Sequence, residues 1–223
     1  MPSTNRCLAT VAVLALAASG CASRDATTAK PAGPAPVALF NGHDLAGWER
    51  RGGAAEFTVV DGCIVGESRP KTRNSFLCTT ASYSNFVLEL DFLIDEGFNS
   101  GIQIRSRIDG EGQKERVVGY QVEIDPSSRA WSAGIYEEGL RGWLAPLTDN
   151  VAAQQAFRHG AWNHVRIEAD GPHLRTWLNG VPAAALTDDA AASGLIALQV
   201  HSVGDRTDPL RVRWRRIELT ALP

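Results

Sequence analysis

Several common sequence features are missing from this chain, and each absence excludes a class of protein. Lysine and arginine form no run, so nothing predicts contact with nucleic acid. The glycine patterns of phosphate-binding loops and dinucleotide folds are absent, as are His-Glu-x-x-His and Cys-x-x-Cys. Ser100 does not lie in a nucleophile elbow, because the residue two positions before it is not glycine. The sequence therefore favours neither a nucleotide enzyme nor a serine hydrolase.

Long apolar runs are also missing, apart from a short one at the N-terminus. Arg6 precedes an apolar stretch over 7–18, and small residues follow up to Cys21. This pattern predicts a secretory signal peptide over residues 1–20, too short for a permanent membrane span. A cysteine directly after Ser-Gly is typical of a bacterial lipobox and predicts lipidation of Cys21, with a plain signal peptide as the alternative. We therefore expect a periplasmic lipoprotein, preferably at the outer membrane, that touches the membrane only through its lipid.

Residues 21–36 are rich in Ala, Thr, Pro and Gly and show no apolar periodicity. Such a segment cannot bury enough surface to order itself, so it is predicted to be a flexible tether behind the lipid anchor. Residues 37–223 then form a single domain. Removal of Arg6 with the signal peptide leaves 21 basic and 25 acidic residues, a net charge of −4.

Cysteine is scarce, with four in the chain. Cys7 lies in the predicted signal peptide and Cys21 is the predicted lipidation site, which leaves Cys63 and Cys78 in two short apolar runs separated by a polar turn. A hairpin centred on that turn would set them nearly opposite each other. An exported protein can keep such a disulfide, although cross-strand geometry is often unfavourable for the bond and two buried thiols are equally compatible with the pattern.

The rest of the domain alternates in the manner of β-strands. The segment Asn85–Arg107 predicts a hairpin of two strands joined at a tight corner, and Asp170-Gly171 and Asn179-Gly180 predict hairpin turns. Only 148–157 suggests a short helix. Many short strands with Gly, Asn and Asp turns favour an all-β jelly-roll sandwich of two antiparallel sheets.

Three of these strands place polar groups opposite their apolar side. Amides, a carboxylate, an imidazole and a guanidinium on one sheet would line a cleft suited to a polyhydroxylated ligand. The alternative is that they are ordinary exposed residues on unrelated strands. The residues are Gln103, Arg105, Gln121, Glu123, Gln199 and His201.

Two aromatic residues in a glycine-rich stretch, Tyr136 and Trp143, are expected to stack on sugar rings, with core packing as the alternative. Glu123-Ile124-Asp125 is similar to the catalytic strand of laminarinase-type glucanases. Residue 128, however, is Ser where a second catalytic Glu would stand, which disfavours hydrolysis by paired carboxylates. No cofactor is expected. A divalent cation on Glu123, His201 and a neighbour remains open.

Motifs in order along the whole domain resemble the bacterial 3-keto-disaccharide hydrolase domain, once classed as a domain of unknown function in the concanavalin A-like lectin/glucanase superfamily. The matching segments are LFNGHDLAGW (39–48), FTVVDGCIVG (57–66), FLCTTASYSNFVLELDF (76–92), NSGIQIR (99–105), GYQVEIDP (119–126), WNHVRIEADG (162–171), LNG (178–180) and GLIALQVHS (194–202). The resemblance implies a concanavalin A-like fold and a periplasmic role in sugar breakdown.

The resemblance also implies a chemistry that needs no second carboxylate. A partner glycoside 3-oxidoreductase would make the 3-keto-glycoside, and this protein would cleave it through an enolate, followed by hydration. We expect Glu123 as base, Arg105 as enolate stabiliser and His201 as acid, with the roles of Glu123 and His201 exchangeable. The amides Gln103, Gln121 and Gln199 would hold sugar hydroxyls. A non-catalytic, lectin-like sugar-binding module is the alternative.

Overall fold

The computed structural model describes residues 1–2 and 34–223. Most of the predicted signal peptide, the predicted lipidation site Cys21 and most of the predicted tether lie outside the described residues. Within 34–223 the chain is almost entirely strand and turn, as the sequence predicts.

The strands are β1 Val37–Ala38, β2 Trp48–Gly52, β3 Glu56–Val60, β4 Cys63–Glu67, β5 Ser75–Thr79, β6 Phe86–Ile94, β7 Ser100–Asp109, β8 Arg116–Ile124, β9 Ile135–Glu138, β10 Gly142–Ala145, β11 Asn163–Asp170, β12 His173–Leu178, β13 Val181–Thr187, β14 Leu195–Val200 and β15 Arg211–Ala221. The helix α1 spans Val151–Gln154, and Asn150 caps it by accepting a hydrogen bond from the amide of Ala153. This helix falls inside the segment 148–157 that the sequence suggests. None of the helices in the described residues is long and apolar enough to span a bilayer.

Two antiparallel sheets form the sandwich. Sheet A has the order β13-β12-β11-β6-β15-β4-β3, with β1 added along β15, and sheet B has the order β10-β9-β8-β7-β14-β5-β2. The expected hairpins β11–β12 and β12–β13 are present. The three strands with polar alternation, β7, β8 and β14, all belong to sheet B, so their polar residues can share one face.

The core lies between the sheets and is filled from the apolar side of each alternating strand. From sheet A, Phe86, Leu88 and Leu90 of β6 are fully buried, and from sheet B Tyr120 and Val122 of β8 face them. Each such side chain stabilises the fold by about 1.5–3 kcal/mol through its burial. Because this core occupies the inner face of sheet B, the polar side chains of β7, β8 and β14 are left on its outer face.

Two expected pairings are wrong. The strands of the segment Asn85–Arg107 do not pair, because β6 belongs to sheet A and β7 to sheet B, so the chain crosses the sandwich between them. The hairpin expected around Cys63 and Cys78 is also absent: β4 pairs with β3 and β15, whereas β5 pairs with β14 and β2. The two cysteines therefore lie in different sheets, and both are buried free thiols.

Candidate functional site

A cavity of about 600 Å³ opens on the outer face of sheet B. Its lining comes from the start of β7, the end of β8, the hairpin β9–β10 and the loop after β14. The lining residues are Asn99, Gln121, Glu123, Asp125, Ser127, Arg129, Tyr136, Glu138, Trp143 and His201. The cavity therefore brings together five of the residues selected from the sequence: Gln121, Glu123, Tyr136, Trp143 and His201.

Glu123 lines the cavity and is the more buried of the two acid–base candidates there, with only 6% of the residue exposed. The amide of Asn99 donates to its Oε1 at 2.8 Å, and the amide of Gln121 donates to its Oε2 at 2.7 Å. Each oxygen thus has one fixed donor and keeps further acceptor capacity for a substrate.

Burial raises the pKa of Glu123, and the neighbouring Asp125 adds to the effect. The hydrogen bonds from Asn99 and Gln121 and the positive charge that His201 carries when protonated act in the opposite direction without cancelling it. A carboxylate with a raised pKa is a stronger base than a solvated one, which suits a group that must accept a proton near neutral pH.

A layer of buried amides lies behind Glu123. Gln103 and Gln199 are fully buried, and each donates its side-chain amide to Oε1 of Gln121, at 2.7 and 2.9 Å. Ser106 in turn donates its hydroxyl to Oε1 of Gln103 at 2.6 Å. We call Gln103, Gln121, Gln199 and Ser106 the amide floor.

The amide floor corrects one expectation. Gln103 and Gln199 were expected to hold sugar hydroxyls, but they lie beneath Gln121 and do not line the cavity. Gln121 reaches over β7 because residue 101 is glycine, where a Cβ would stand 2.4 Å from the Gln121 side chain. The buried amides therefore support Glu123 from below rather than contacting a ligand.

His201 lines the same cavity from the loop that follows β14. Its Nδ1 lies 2.8 Å from the carbonyl oxygen of Ser202. A carbonyl can only accept, so Nδ1 carries a proton in this arrangement. The neutral ring then has its lone pair on Nε2, and the charged ring has a donor there. His201 can thus accept or donate a proton through Nε2.

Aromatic rings and one arginine form a side wall. Trp143 stands edge-on to Tyr136, with ring centroids 5.4 Å apart, and edge-on to Trp131, 4.8 Å away. The guanidinium carbon of Arg129 lies 5.0 Å from the Trp143 ring centroid, and Nε of Arg129 donates to Asp125 at 2.7 Å. We call Trp131, Tyr136, Trp143 and Arg129 the aromatic wall.

The aromatic wall is held in place from outside the cavity. Arg141, in the turn between β9 and β10, donates to both carboxylate oxygens of Asp188, at 2.8 and 3.0 Å, and also to Glu137. The hydroxyl of Tyr120, on the core side of β8, donates to the same Asp188. These bonds tie the β9–β10 hairpin to the loop after β13, which fixes the hairpin that presents Tyr136 and Trp143.

Arg105 does not belong to the site, contrary to expectation. A β-bulge sets Arg105 and Ser106 opposite Gly119, and Arg105 takes a positive φ of 46°. The extra residue reverses the alternation of β7, so the side chain turns away from the cavity. Its guanidinium donates to the carbonyls of Ser84 (2.7 Å) and Gly171 (2.6 Å).

A third bond of this guanidinium goes to the side chain of Asn85 at 3.0 Å. Ser84 and Asn85 immediately precede β6, and Gly171 lies in the β11–β12 turn, so all three belong to the sheet A side. Burial lowers the pKa of Arg105. Arg105 of sheet B therefore connects the two sheets through hydrogen bonds to residues on the sheet A side.

Sequence reasoning missed half of the lining residues. Asn99 and Ser127 lie in loops just outside the alternating strands, so a period-two pattern gives no sign of them. Asp125 and Glu138 stand at strand ends and continue the alternation of Glu123 and Tyr136 by one step, which could have identified them. No sequence pattern indicates Arg129 as a lining residue, because its position depends on the ion pair with Asp125 and on its contact with the tryptophan rings.

The carboxyl of Asp125 differs from that of Glu123. Burial acts to raise the pKa of Asp125, but the hydrogen bonds from Ser127 and Arg129 outweigh it, so its pKa is lowered. Asp125 thus stays ionised and anchors Arg129. In the described part of the chain, no group of three or more His, Cys, Asp or Glu residues is arranged to hold a metal ion.

Comparisons with known proteins agree with the family suggested by the sequence. A family model described as "3-keto-alpha-glucoside-1,2-lyase-like domain" matches residues 35–220. No significant match occurs among curated proteins.

Solved structures show a related fold at low sequence identity. A presumed glycosyl hydrolase from Parabacteroides distasonis superposes with a TM-score of 0.57 at 19% identity, over 84% of this chain and 94% of that one. The carbohydrate-binding module CBM66 from Bacillus subtilis gives 0.57 at 19%, over 78% and 96%. A Bacillus subtilis protein with a galectin-like fold gives 0.64 at 11%, over 86% and 97%. The expected concanavalin A-like sandwich is confirmed.

Proposed function

Because the chain belongs to the 3-keto-alpha-glucoside-1,2-lyase-like family, we propose that it cleaves 3-keto-glycosides by elimination followed by hydration. One observation carries the proposal: Glu123 and His201 line one cavity, together with the cation Arg129 and two aromatic rings. This set can supply a base, an acid, a charge for an oxyanion and stacking surfaces for a sugar.

The chemistry begins at carbon 2 of the sugar. The neighbouring ketone at carbon 3 makes the carbon 2 proton acidic, and Glu123 removes it, so the electron pair moves onto the ketone oxygen as an enolate. The enolate then collapses, a double bond forms between carbons 1 and 2, and the bond from carbon 1 to the aglycone oxygen breaks. His201 gives that oxygen its proton through Nε2. Water adds to carbon 1 and returns a proton to carbon 2, which yields the free 3-keto sugar.

Arg129 takes the role that Arg105 cannot fill. It is the arginine of the cavity lining, and its Nε is already engaged with Asp125, so the terminal nitrogens are the part of the group that can face a ligand. A guanidinium at a developing enolate oxygen stabilises the transition state more than the ground state, because the charge appears only as the proton leaves.

The base and acid assignments for Glu123 and His201 can be tested by pH. With Glu123 as base, the rate should rise with pH through the raised pKa of Glu123, and Glu123→Gln should abolish that limb. If the limb survives in Glu123→Gln and disappears in His201→Ala, the two residues exchange roles.

The decisive experiment incubates the purified domain with a 3-keto-glucoside and with its unoxidised parent. We expect release of aglycone from the keto form only. Glu123→Gln should lower kcat by about 10²–10⁴, the usual contribution of a general acid–base group. Glu218→Gln, an exposed carboxylate on sheet A, is the matched control and should keep full activity. Absence of release from either glycoside, with sugar binding retained, would reject the enzyme.

A sugar-binding module without catalysis is the second candidate. It is favoured by the structural similarity to CBM66, which has about the same TM-score as the presumed hydrolase. A pure binder would hold an unoxidised glucoside as well as its keto form, and Glu123→Gln would leave its affinity unchanged. Calorimetry with both sugars separates the two candidates.

We also propose that the chain is exported and anchored to a membrane through a lipid on Cys21, and that a glycoside 3-oxidoreductase supplies its substrate. The support is the lipobox-like sequence before Cys21 and the chemistry of the ketone, which must be made by an oxidation. Cys21→Ser should release the protein from the membrane fraction in a lipoprotein-processing host. Membrane association that survives this change would reject the lipid anchor.

A further inference from the structure

We propose that Asn74, which is outside the cavity lining, is the positioning residue that sets the tautomer and orientation of His201. The side-chain oxygen of Asn74 accepts the backbone N–H of Ser202 at 2.9 Å. The carbonyl of the same Ser202 accepts Nδ1–H of His201 at 2.8 Å. Asn74 therefore holds the residue that holds the imidazole.

The orientation of the Asn74 amide is unambiguous. Its Oδ1 faces a backbone N–H, which can only donate, and its Nδ2 lies 3.0 Å from Oε1 of Glu138, a carboxylate that accepts. A flipped amide would set donor against donor and acceptor against acceptor. Asn74 thus connects two parts of the cavity lining, the His201 loop and Glu138.

The segment before β5 forms hydrogen bonds with the His201 loop at two points, Ser202 and Gly204. Lys71 donates its backbone N–H to the carbonyl of Gly204 at 2.7 Å, on the far side of Ser202. Residues 71–74 therefore hold this loop at two points, the N–H of Ser202 and the carbonyl of Gly204, and so restrict how far the peptide unit that carries the Ser202 carbonyl can turn away from His201. The ring of His201 therefore keeps its proton on Nδ1, and Nε2 is the nitrogen that can accept or donate a proton.

The substitution Asn74→Ala leaves the backbone pairing intact, because the carbonyl of Asn74 still accepts from the amide of Gly53 at 2.9 Å. The experiment is nitrogen NMR of the His201 ring in the wild-type protein and in Asn74→Ala, above the pH at which the ring is neutral. Wild type should show the Nδ1–H tautomer. Asn74→Ala should shift the tautomer ratio by about fivefold towards Nε2–H, the change that one neutral hydrogen bond supports.

Asn41 is the matched control, since its side chain also accepts backbone amides, from His43 and Asp44, in a turn that does not line the cavity. Asn41→Ala should leave the His201 signals unchanged. If Asn74→Ala is too unstable for NMR, Asn74→Leu keeps a side chain branched at the same carbon and tests the same bond. An unchanged tautomer ratio in the Asn74 variant that folds would overturn the proposal.

The kinetic part rests on the proposed function. Asn74→Ala should lower kcat about tenfold with little change in KM and should alter the pH profile. Asn74→Asp combined with Glu138→Gln keeps an acceptor for Ser202 and a donor–acceptor pair between positions 74 and 138, and should retain the wild-type tautomer. A shifted tautomer with no catalysis in any variant would support the positioning role while rejecting the enzyme, so the two proposals fail separately.

Discussion

Replacing Gln121 by methionine should make the stability of the protein depend more steeply on pH. Methionine matches glutamine in length but removes the donor to Oε2 of Glu123 and the acceptor shared by Gln103 and Gln199. Two consequences follow, and they differ in their pH dependence.

The first consequence does not depend on pH. The amide donors of Gln103 and Gln199 lose their partner while they remain fully buried. Each orphaned group costs about 1–3 kcal/mol, so the free energy of unfolding should fall by about 2–6 kcal/mol at every pH.

The second consequence arises from Glu123. Its pKa is raised in the folded state, so the folded protein holds the proton more tightly than the unfolded chain does. Stability therefore declines as pH rises from the ordinary pKa of a glutamic acid to the folded value. A hydrogen bond to a charged group contributes about 1.5–3 kcal/mol, so losing the one from Gln121 should raise the pKa of Glu123 further. The loss of unfolding free energy caused by Gln121→Met should therefore grow with pH between the pKa of Glu123 in the wild type and its higher pKa in the variant. The added loss should equal the free energy of the missing hydrogen bond and then level off.

Urea unfolding of both proteins from pH 4 to pH 8 measures this difference. The same comparison in a Glu123→Gln background should keep the constant deficit and lose the part that grows with pH. A deficit of equal size at all pH values, or one that grows equally without Glu123, would refute the account of the amide floor.

Three further results are expected. Arg105→Met should lower the free energy of unfolding by about 1.5–3 kcal/mol, since it removes the guanidinium that donates to the carbonyls of Ser84 and Gly171, yet urea titration and assays should show near-normal kcat in the folded fraction; a selective loss of kcat would return Arg105 to the site. The Cys78 thiol, whose pKa burial raises to about 12, should resist a thiol reagent in the native protein and react after unfolding, whereas rapid native labelling would contradict its place in sheet B. Trp143→Ala should weaken glucoside binding by calorimetry about three- to tenfold without changing the pH profile, and equal affinity would remove the ring from the ligand surface.

The alternation along β8 correctly predicted which of its residues lie on the outer face of sheet B. Gln121 and Glu123 stand opposite Tyr120, Val122 and Ile124 on one strand, and burial of the apolar side forces the polar side onto the outer face. The amide nature of three of these residues also signalled a role, although which amide contacts a ligand could not be known. How deeply an amide is buried depends on the side chains of the neighbouring strands, which the alternation of one strand does not reveal. Here Gly101 leaves the space in which the Gln121 side chain covers Gln103.

The misplaced residues have two separate physical causes. Arg105 was misassigned because a bulge with a positive φ reverses strand alternation, and an arginine gives no sign of that backbone conformation. A hairpin was expected around Cys63 and Cys78 because a short polar turn separates their strands, with a disulfide and two free thiols both left open. Here the chain passes from β4 in sheet A to β5 in sheet B instead. The pairing of β4 with β3 and β15, and of β5 with β14 and β2, determines this arrangement, not the turn between them.

The contrast between the amide floor and the aromatic wall has a consequence for how such a protein can change. The amides of Gln103 and Gln199 and the hydroxyl of Ser106 are linked through Gln121 to Glu123, so a substitution in the floor propagates to Glu123. The wall stands on a hairpin secured from outside, through Arg141 and Asp188. Exchanging Tyr136 or Trp143 alters the shape offered to a ligand while the base and its supports keep their geometry. Recognition and reactivity are thus carried by separable pieces of one sheet, and new ligand preferences should be sought along the hairpin.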